Sequence, residues 1–363
     1  MAFWSVVRGE QGRKRIWSLW GCGGLIVAIL ALVVYAELTE DQKAVRETIR
    51  AIFAGETQAD RDAAFDQLVA LGAQDLGLVY WGLEAHNATF MFAPAKLNEL
   101  FDRLAAAHGG AATMIAVSRV VLAGDDWVGK RCALLALDRL GAVAGGEVET
   151  LLADTTVPTF LRCQAALTLG RIGTAAAAPG LSLVLRDSLE PGRLREACAE
   201  GLATLDPGGL EQDASSLIGA AGTPPGLVRR LVDRLTDRGL TTALRASLAD
   251  VTLGADRRNQ VARGLLRMGD PQDLTTIQQL ATDGTGPPGL TEVLLDQLAR
   301  QDFTNFDDFI RTSLGSPSKK VRMLAILAAG TAGLDNASIQ GELTNSGQTL
   351  TAEELQVLAR VSN

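Results

Sequence analysis

The side chains that could carry chemistry are few. His86 and His108 are the only histidines in 363 residues. A zinc site needs three or four His, Cys or carboxylate ligands at short spacing. Neither a Cys-x-x-Cys nor a His-x-x-x-His pattern occurs, so no metal ligand is expected. Of the four cysteines, Cys22 lies in an apolar N-terminal stretch, whereas Cys132, Cys163 and Cys198 occupy similar places about one repeat apart and read as small core residues. Packed helices sit roughly 8 to 10 Å apart and a disulfide needs Cα atoms within about 7 Å, so no disulfide framework follows. Gly145-Gly146 and Gly208-Gly209 lack the Lys-Ser/Thr of a phosphate loop and read as turns. Asp125-Asp126 and Asp307-Asp308 could act as paired carboxylates, but no base or electrophile accompanies them, and acids at helix starts are usually caps. The expectation is a non-enzyme with no catalytic residue and no cofactor.

A second chemical pattern is basic. Arg131, Arg162, Arg195, Arg229 with Arg230, Arg257 with Arg258, and Arg322 recur early in successive predicted helices. A cation in the first turn opposes the helix dipole, so local acids must compensate. Asp154, Asp187 and Asp250, which end the preceding helices, suit an Arg/Asp ladder between units; the other reading is a basic strip for an anionic ligand. The net charge is −8 and no Lys/Arg run occurs beyond the N-terminus, which argues against nucleic acid as a partner.

The elements that position these residues form a repeat. Val128 to Ala142 reads as one helix whose Leu137 and Gly141 recur as Leu169 with Gly173, Leu202 with Asp206, Leu235 with Gly239, Leu265 with Gly269, and Leu298 with Asp302. The period is roughly 32 residues, that of a stacked array. Leu68 with Gly72 and Leu104 with His108 extend the column backward, and Leu327 marks a degenerate last copy. Second helices follow at 76–83, 114–122, 148–152, 181–185, 243–248, 274–280 and 306–314, with Pro and Gly at the joints. Aromatics are only 5% and the apolar content is Ala and Leu, which fits an all-α chain.

Residues 16–36 are uncharged for about 21 positions, enough to cross a bilayer. Arg8 and Arg13-Lys14-Arg15 precede this stretch and Glu37, Glu40 and Asp41 follow it. The asymmetry places 1–15 in the cytoplasm and the remainder outside, giving a single-pass inner-membrane protein with a periplasmic array. Val34-Tyr35-Ala36 also has the spacing of a signal-peptidase site, so cleavage is the alternative. Residues 37–59 should form an amphipathic connecting helix with Thr39 and Gln42 as a capping box, 60–335 the repeats, and 336–363 a polar loop at 336–350 followed by a closing helix capped by Thr351 and Glu354.

The runs Arg131-Cys-Ala-Leu-Leu-Ala-Leu-Asp-Arg-Leu-Gly141 and Arg162-Cys-Gln-Ala-Ala-Leu-Thr-Leu-Gly-Arg-Ile-Gly173 resemble HEAT-like repeats of the phycobilisome-lyase kind over residues 60 to 335. The resemblance implies an α-solenoid of helix pairs in a superfamily of scaffolds, adaptors and a few enzymes. The di-iron hydroxylases of that superfamily use His-Glu pairs, which His86 and His108 do not form. The expected function is a membrane-anchored scaffold or accessory subunit that binds a protein partner of a membrane complex. The alternatives are a secreted solenoid binding a small or polymeric ligand, and a chromophore-lyase-like accessory enzyme. The expected partner-binding residues are Tyr80, Trp81, Phe90, Met91 and Phe92, an aromatic cluster before Pro94 in a chain poor in aromatics. Burial of the same residues as an end cap is the opposing reading.

Overall fold

The structure is a computed structural model that describes residues 38–361 apart from 73, 125, 126, 142, 143, 302, 304 and 348, and without the side chains of Thr89, Phe90, Trp127 and Val128. The expected membrane helix at 16–36 and the cytoplasmic segment 1–15 lie outside the described residues. Among the described residues there is no strand, and no single helix is long and apolar enough to cross a membrane. The chain divides into two compact units that meet between Ala144 and Gly145.

The first unit begins with α1 (Glu40–Ala54), entered through the capping box: Thr39 N–H donates to Gln42 Oε1 at 2.9 Å and Gln42 N–H to Thr39 Oγ1 at 3.2 Å. Val45, Ile49 and Ile52 are spaced three and four apart, so they share one buried face. That face packs on α2 (Gln58–Gly72) and α3 (Leu76–Ala85). A one-turn α4 (Ala88–Met91), α5 (Pro94–Ala107), α6 (Ala111–Ala123) and α7 (Trp127–Leu140) complete the unit, with α7 laid against both α3 and α6.

The second unit is a two-row stack. One row holds α8 (Gly145–Ala153), α10 (Ala178–Arg186), α12 (Pro207–Gly219), α14 (Thr242–Ala249), α16 (Pro271–Thr282), α18 (Asp307–Leu314) and α20 (Asn336–Asn345). The other holds α9 (Thr159–Ile172), α11 (Gly192–Leu205), α13 (Pro225–Asp237), α15 (Ala255–Met268), α17 (Leu290–Leu298), α19 (Lys319–Thr331) and α21 (Ala352–Val361), each packed on the next. Sequential packing of helix pairs is compatible with a helical-repeat solenoid. The leucine column is its seam: Leu169, Leu202, Leu235, Leu265 and Leu298 are all buried. Gly173, Gly239 and Gly269 each take a positive φ four residues on, a left-handed turn that a side chain would strain.

Two sequence readings need correction. In the last copy the seam is Ala329, fully buried and four residues before the left-handed Gly333, whereas Leu327 is 39% exposed. Alanine satisfies the position because α21 closes tightly there: a Cβ at Gly330 would meet Val361 Cγ1 at 2.1 Å. The stretch expected as loop from Asn336 is instead helical to Asn345, because Asp335 caps Ser338 N–H at 2.8 Å and Ile339 with Leu343, one turn apart, are buried.

Row spacing is set partly by glycine. A Cβ on Gly170 would lie 2.6 Å from Gly201 Cα, and one on Gly201 would lie 2.6 Å from Ala166 O. The backbones of α9 and α11 therefore approach as only glycine permits.

Candidate functional site

Within the first unit, the aromatic cluster separates into core and surface. Tyr80 is fully buried, with its hydroxyl 3.1 Å from Ser118 Oγ and its ring edge-on to Phe101 at 6.3 Å. Burial pushes the phenol well above its usual range. Phe92 is also core, packed against Phe53 at 4.8 Å and Phe65 at 6.4 Å. The reason is local: Asn87 turns the chain through a left-handed conformation (φ 51°), and the single turn of α4 then delivers Phe92 inward against α1 and α2. Tyr80 and Phe92 thus cannot belong to the expected exposed contact cluster, and the side chain of Phe90 lies outside the described residues. Met91 remains 58% exposed. Trp81 is half-buried beside a recess of about 400 Å³ that Asp75, Leu78 and Val121 also line.

The two histidines are far apart in role. His86 packs against Trp81 at 6.1 Å with both ring nitrogens buried and unbonded; burial, then the charge of Arg46, lowers its pKa. His108 Nε2 instead contacts Gly72 O, joining the ends of α2 and α5. Cys132, Cys163 and Cys198 are free thiols, and burial raises the pKa of each.

The arginine series sorts into two kinds. Arg162, Arg195 and Arg258, each seven positions before its seam leucine, are buried. Their Nε–H groups donate to Leu152 O at 2.7 Å, Leu185 O at 2.8 Å and Leu248 O at 2.9 Å, in each case the penultimate residue of the preceding helix. The cation that opposes its own helix dipole thus sits on the negative end of an antiparallel neighbour, which resolves the unfavourable placement seen in the sequence. Arg322 plays the same part, donating to Ser316 O at 2.9 Å and to buried Glu354 at 2.8 Å. Asp154 and Asp250 accept hydrogen bonds from Thr156 and Thr252 in their own turns. Bonds from Thr252 mainly hold the Asp250 carboxyl below its usual range, with Arg258 a smaller contribution, and the hydrogen bonds of the ladder are formed by backbone carbonyls. Arg257 closes another joint by donating to carbonyls of Ile218, Ala220, Ala221 and Thr223 at 2.6 to 3.1 Å. In the first unit, Arg131 pairs with Glu84 at 3.0 Å.

Arg229 differs. It is exposed, and it lines a groove of about 940 Å³ across α13, α15 and α17. Val232, Asn259, Gly264 and Gln297 form buried parts of its lining, and Arg229, Arg263, Arg267 and Arg300 are its exposed cations. Gly264 keeps α15 close to α13, since a Cβ there would fall 2.6 Å from Val232 Cγ1. Arg267 is held by Asp233 at 2.8 Å and Arg300 by Asp296 at 3.0 Å, a hydrogen bond that raises the Arg300 pKa. Arg229 and Arg263 make no ion pair or hydrogen bond among the described residues. Asn259 donates from Nδ2 to Pro288 O at 2.7 Å, while its buried Oδ1 has no partner. The sequence reading passed over Asn259, Arg263 and Arg267, although their spacing of four and four puts them on one stripe of a single helix. A smaller recess of about 450 Å³ between α9, α11 and α13 carries Arg171, Arg193 and Arg230 with Glu196 and Glu200.

Fold and groove together define an all-α protein of stacked helix pairs with a polar, arginine-bearing groove in its second unit. No protein-family model matches the chain, and no curated protein matches it.

Proposed function

We propose that this chain is a membrane-anchored scaffold or accessory subunit of HEAT-like repeats that binds a protein partner on the extracytoplasmic side. The observation that carries the reading is the groove across α13, α15 and α17. It is built from side chains on three successive helices, and Arg229, Arg263 and the buried Asn259 Oδ1 in its lining have no partner among the described residues. Stacked repeats lend themselves to such surfaces because each unit contributes one equivalent strip. The anchor rests on the uncharged residues 16–36 with basic residues before them and acids after. The polar groove in the second unit replaces the aromatic cluster as the principal docking surface, since Tyr80 and Phe92 are buried.

Purification of the full chain in mild detergent followed by mass spectrometry tests the reading. A stoichiometric membrane-complex subunit should co-elute, and protease added outside the membrane should cut beyond Glu37. Elution as a clean monomer across several detergents, or protection of the array from external protease, would overturn it.

A further inference from the structure

We infer that the groove across α13, α15 and α17 is a binding site for an extended acidic peptide segment. The inference rests on the scaffold reading and narrows its partner. Three features carry it. Arg229 and Arg263 are exposed cations without a partner among the described residues, although the whole chain has a net charge of −8. A surplus of acids elsewhere would be expected to supply partners, so two free guanidiniums facing one groove are a recognition feature rather than surface salt bridges. Second, the groove's carboxylates are mostly committed: Asp233 holds Arg267 and Asp296 holds Arg300, leaving Asp256 on the first turn of α15 as its free acid. Free charge in the groove is therefore positive by one.

The third feature selects a peptide over a simple anion. Asn259 is 9% exposed and its Oδ1 is buried without a partner, and Gln297, equally buried, makes no hydrogen bond through its side chain within the described residues. Leaving the buried Asn259 Oδ1 unbonded is unfavourable, and a bound donor would relieve that cost. An anion offers no donor to Asn259 Oδ1. A peptide offers one N–H and one C=O at every residue, and an amide side chain can meet both. Three helices at roughly 9 Å spacing span about 18 Å, the length of five or six extended residues. The backbone would run over Asn259 and Gln297, with its carboxylates reaching Arg229 and Arg263.

The test uses the full-length protein in detergent micelles and a fluorescein-labelled octapeptide of alternating glutamate and glycine, read by fluorescence anisotropy. Binding should be saturable and weaken with salt. A lysine–glycine octapeptide should not bind. R229E/R263E should weaken binding at least tenfold with an unchanged melting temperature, since neither arginine has a structural partner, and the remote reversal R50E should leave binding intact. Equal binding by wild type and R229E/R263E overturns the proposal, as does an equal loss in R50E. Inorganic polyphosphate bound as tightly as the peptide and lost in the same variant also overturns it, because that describes a general anion site. A co-purified partner that stays on R229E/R263E removes the groove proposal but leaves the scaffold reading. Peptide binding by a wild-type protein that elutes without any partner does the reverse.

Discussion

Replacing Arg162 by Met isolates the interaction that ties one helix pair to the next. The guanidinium is 4% exposed and makes three charged hydrogen bonds: Nε to Leu152 O at 2.7 Å, and Nη1 and Nη2 to the two oxygens of Glu190 at 2.8 and 2.6 Å. Methionine fills most of the stem volume, so the loss is electrostatic rather than a cavity. It strands the Glu190 carboxylate, itself only 12% exposed, and uncaps the end of α8. Removing one partner of a buried pair typically costs about 3 to 5 kcal/mol, most of it from the charge left behind. We expect R162M to lie in that range, E190Q to cost less, and R162M/E190Q to recover at least half of the loss, because the double variant buries no lone charge. Repeat arrays open locally, so native-state hydrogen exchange of α8 to α11 amides is the assay, with urea unfolding of the full chain as a check. If R162M falls within about 1 kcal/mol of wild type, or the double variant is worse than the sum of the singles, the buried bridge does not act as described.

Other perturbations follow from the same geometry. G170A should destabilise the α9–α11 contact by about 1 to 3 kcal/mol, despite the better helix propensity of Ala, because the new methyl meets Gly201 backbone at 2.6 Å; chemical denaturation checks it. Phe92→Ala should cost about 3 to 5 kcal/mol while Met91→Ser leaves the melting temperature in place, since Phe92 is core and Met91 is exposed. Burial pushes the Glu354 carboxyl up, but Thr351 N–H, Arg322 and the Thr351 hydroxyl outweigh it and hold its pKa below the ordinary 4.5. Its stabilising contribution is therefore present above about pH 4.5 and lost as pH falls through the lower folded value, so α21 should loosen in acid and E354Q should remove that part of the pH dependence, read by hydrogen exchange of α21.

Period and local chemistry were legible in the sequence. A leucine recurring about every 32 residues with a glycine four positions later dictates helix pairs that must stack, because no single pair can bury its own apolar face. Both capping boxes, Thr39 with Gln42 and Thr351 with Glu354, read directly from spacing, since the bonds join residues three apart. Tertiary packing decided what spacing could not express. Met91 and Phe92 look alike as apolar surface candidates, yet Phe92 is sealed against Phe53 and Phe65 and Met91 lies open, because the turn at Asn87 and the single turn of α4 choose which side chain faces α1 and α2. Arginines of one recurring series serve either as caps on a neighbouring helix or as free cations in a groove. Arg162 finds Leu152 O within reach and Arg229 finds no partner, a difference set by position on the helix face and by the helices packed alongside. The groove itself joins Arg229, Asn259, Arg263 and Gln297 from three helices, so only the stacking of those helices brings its chemistry together.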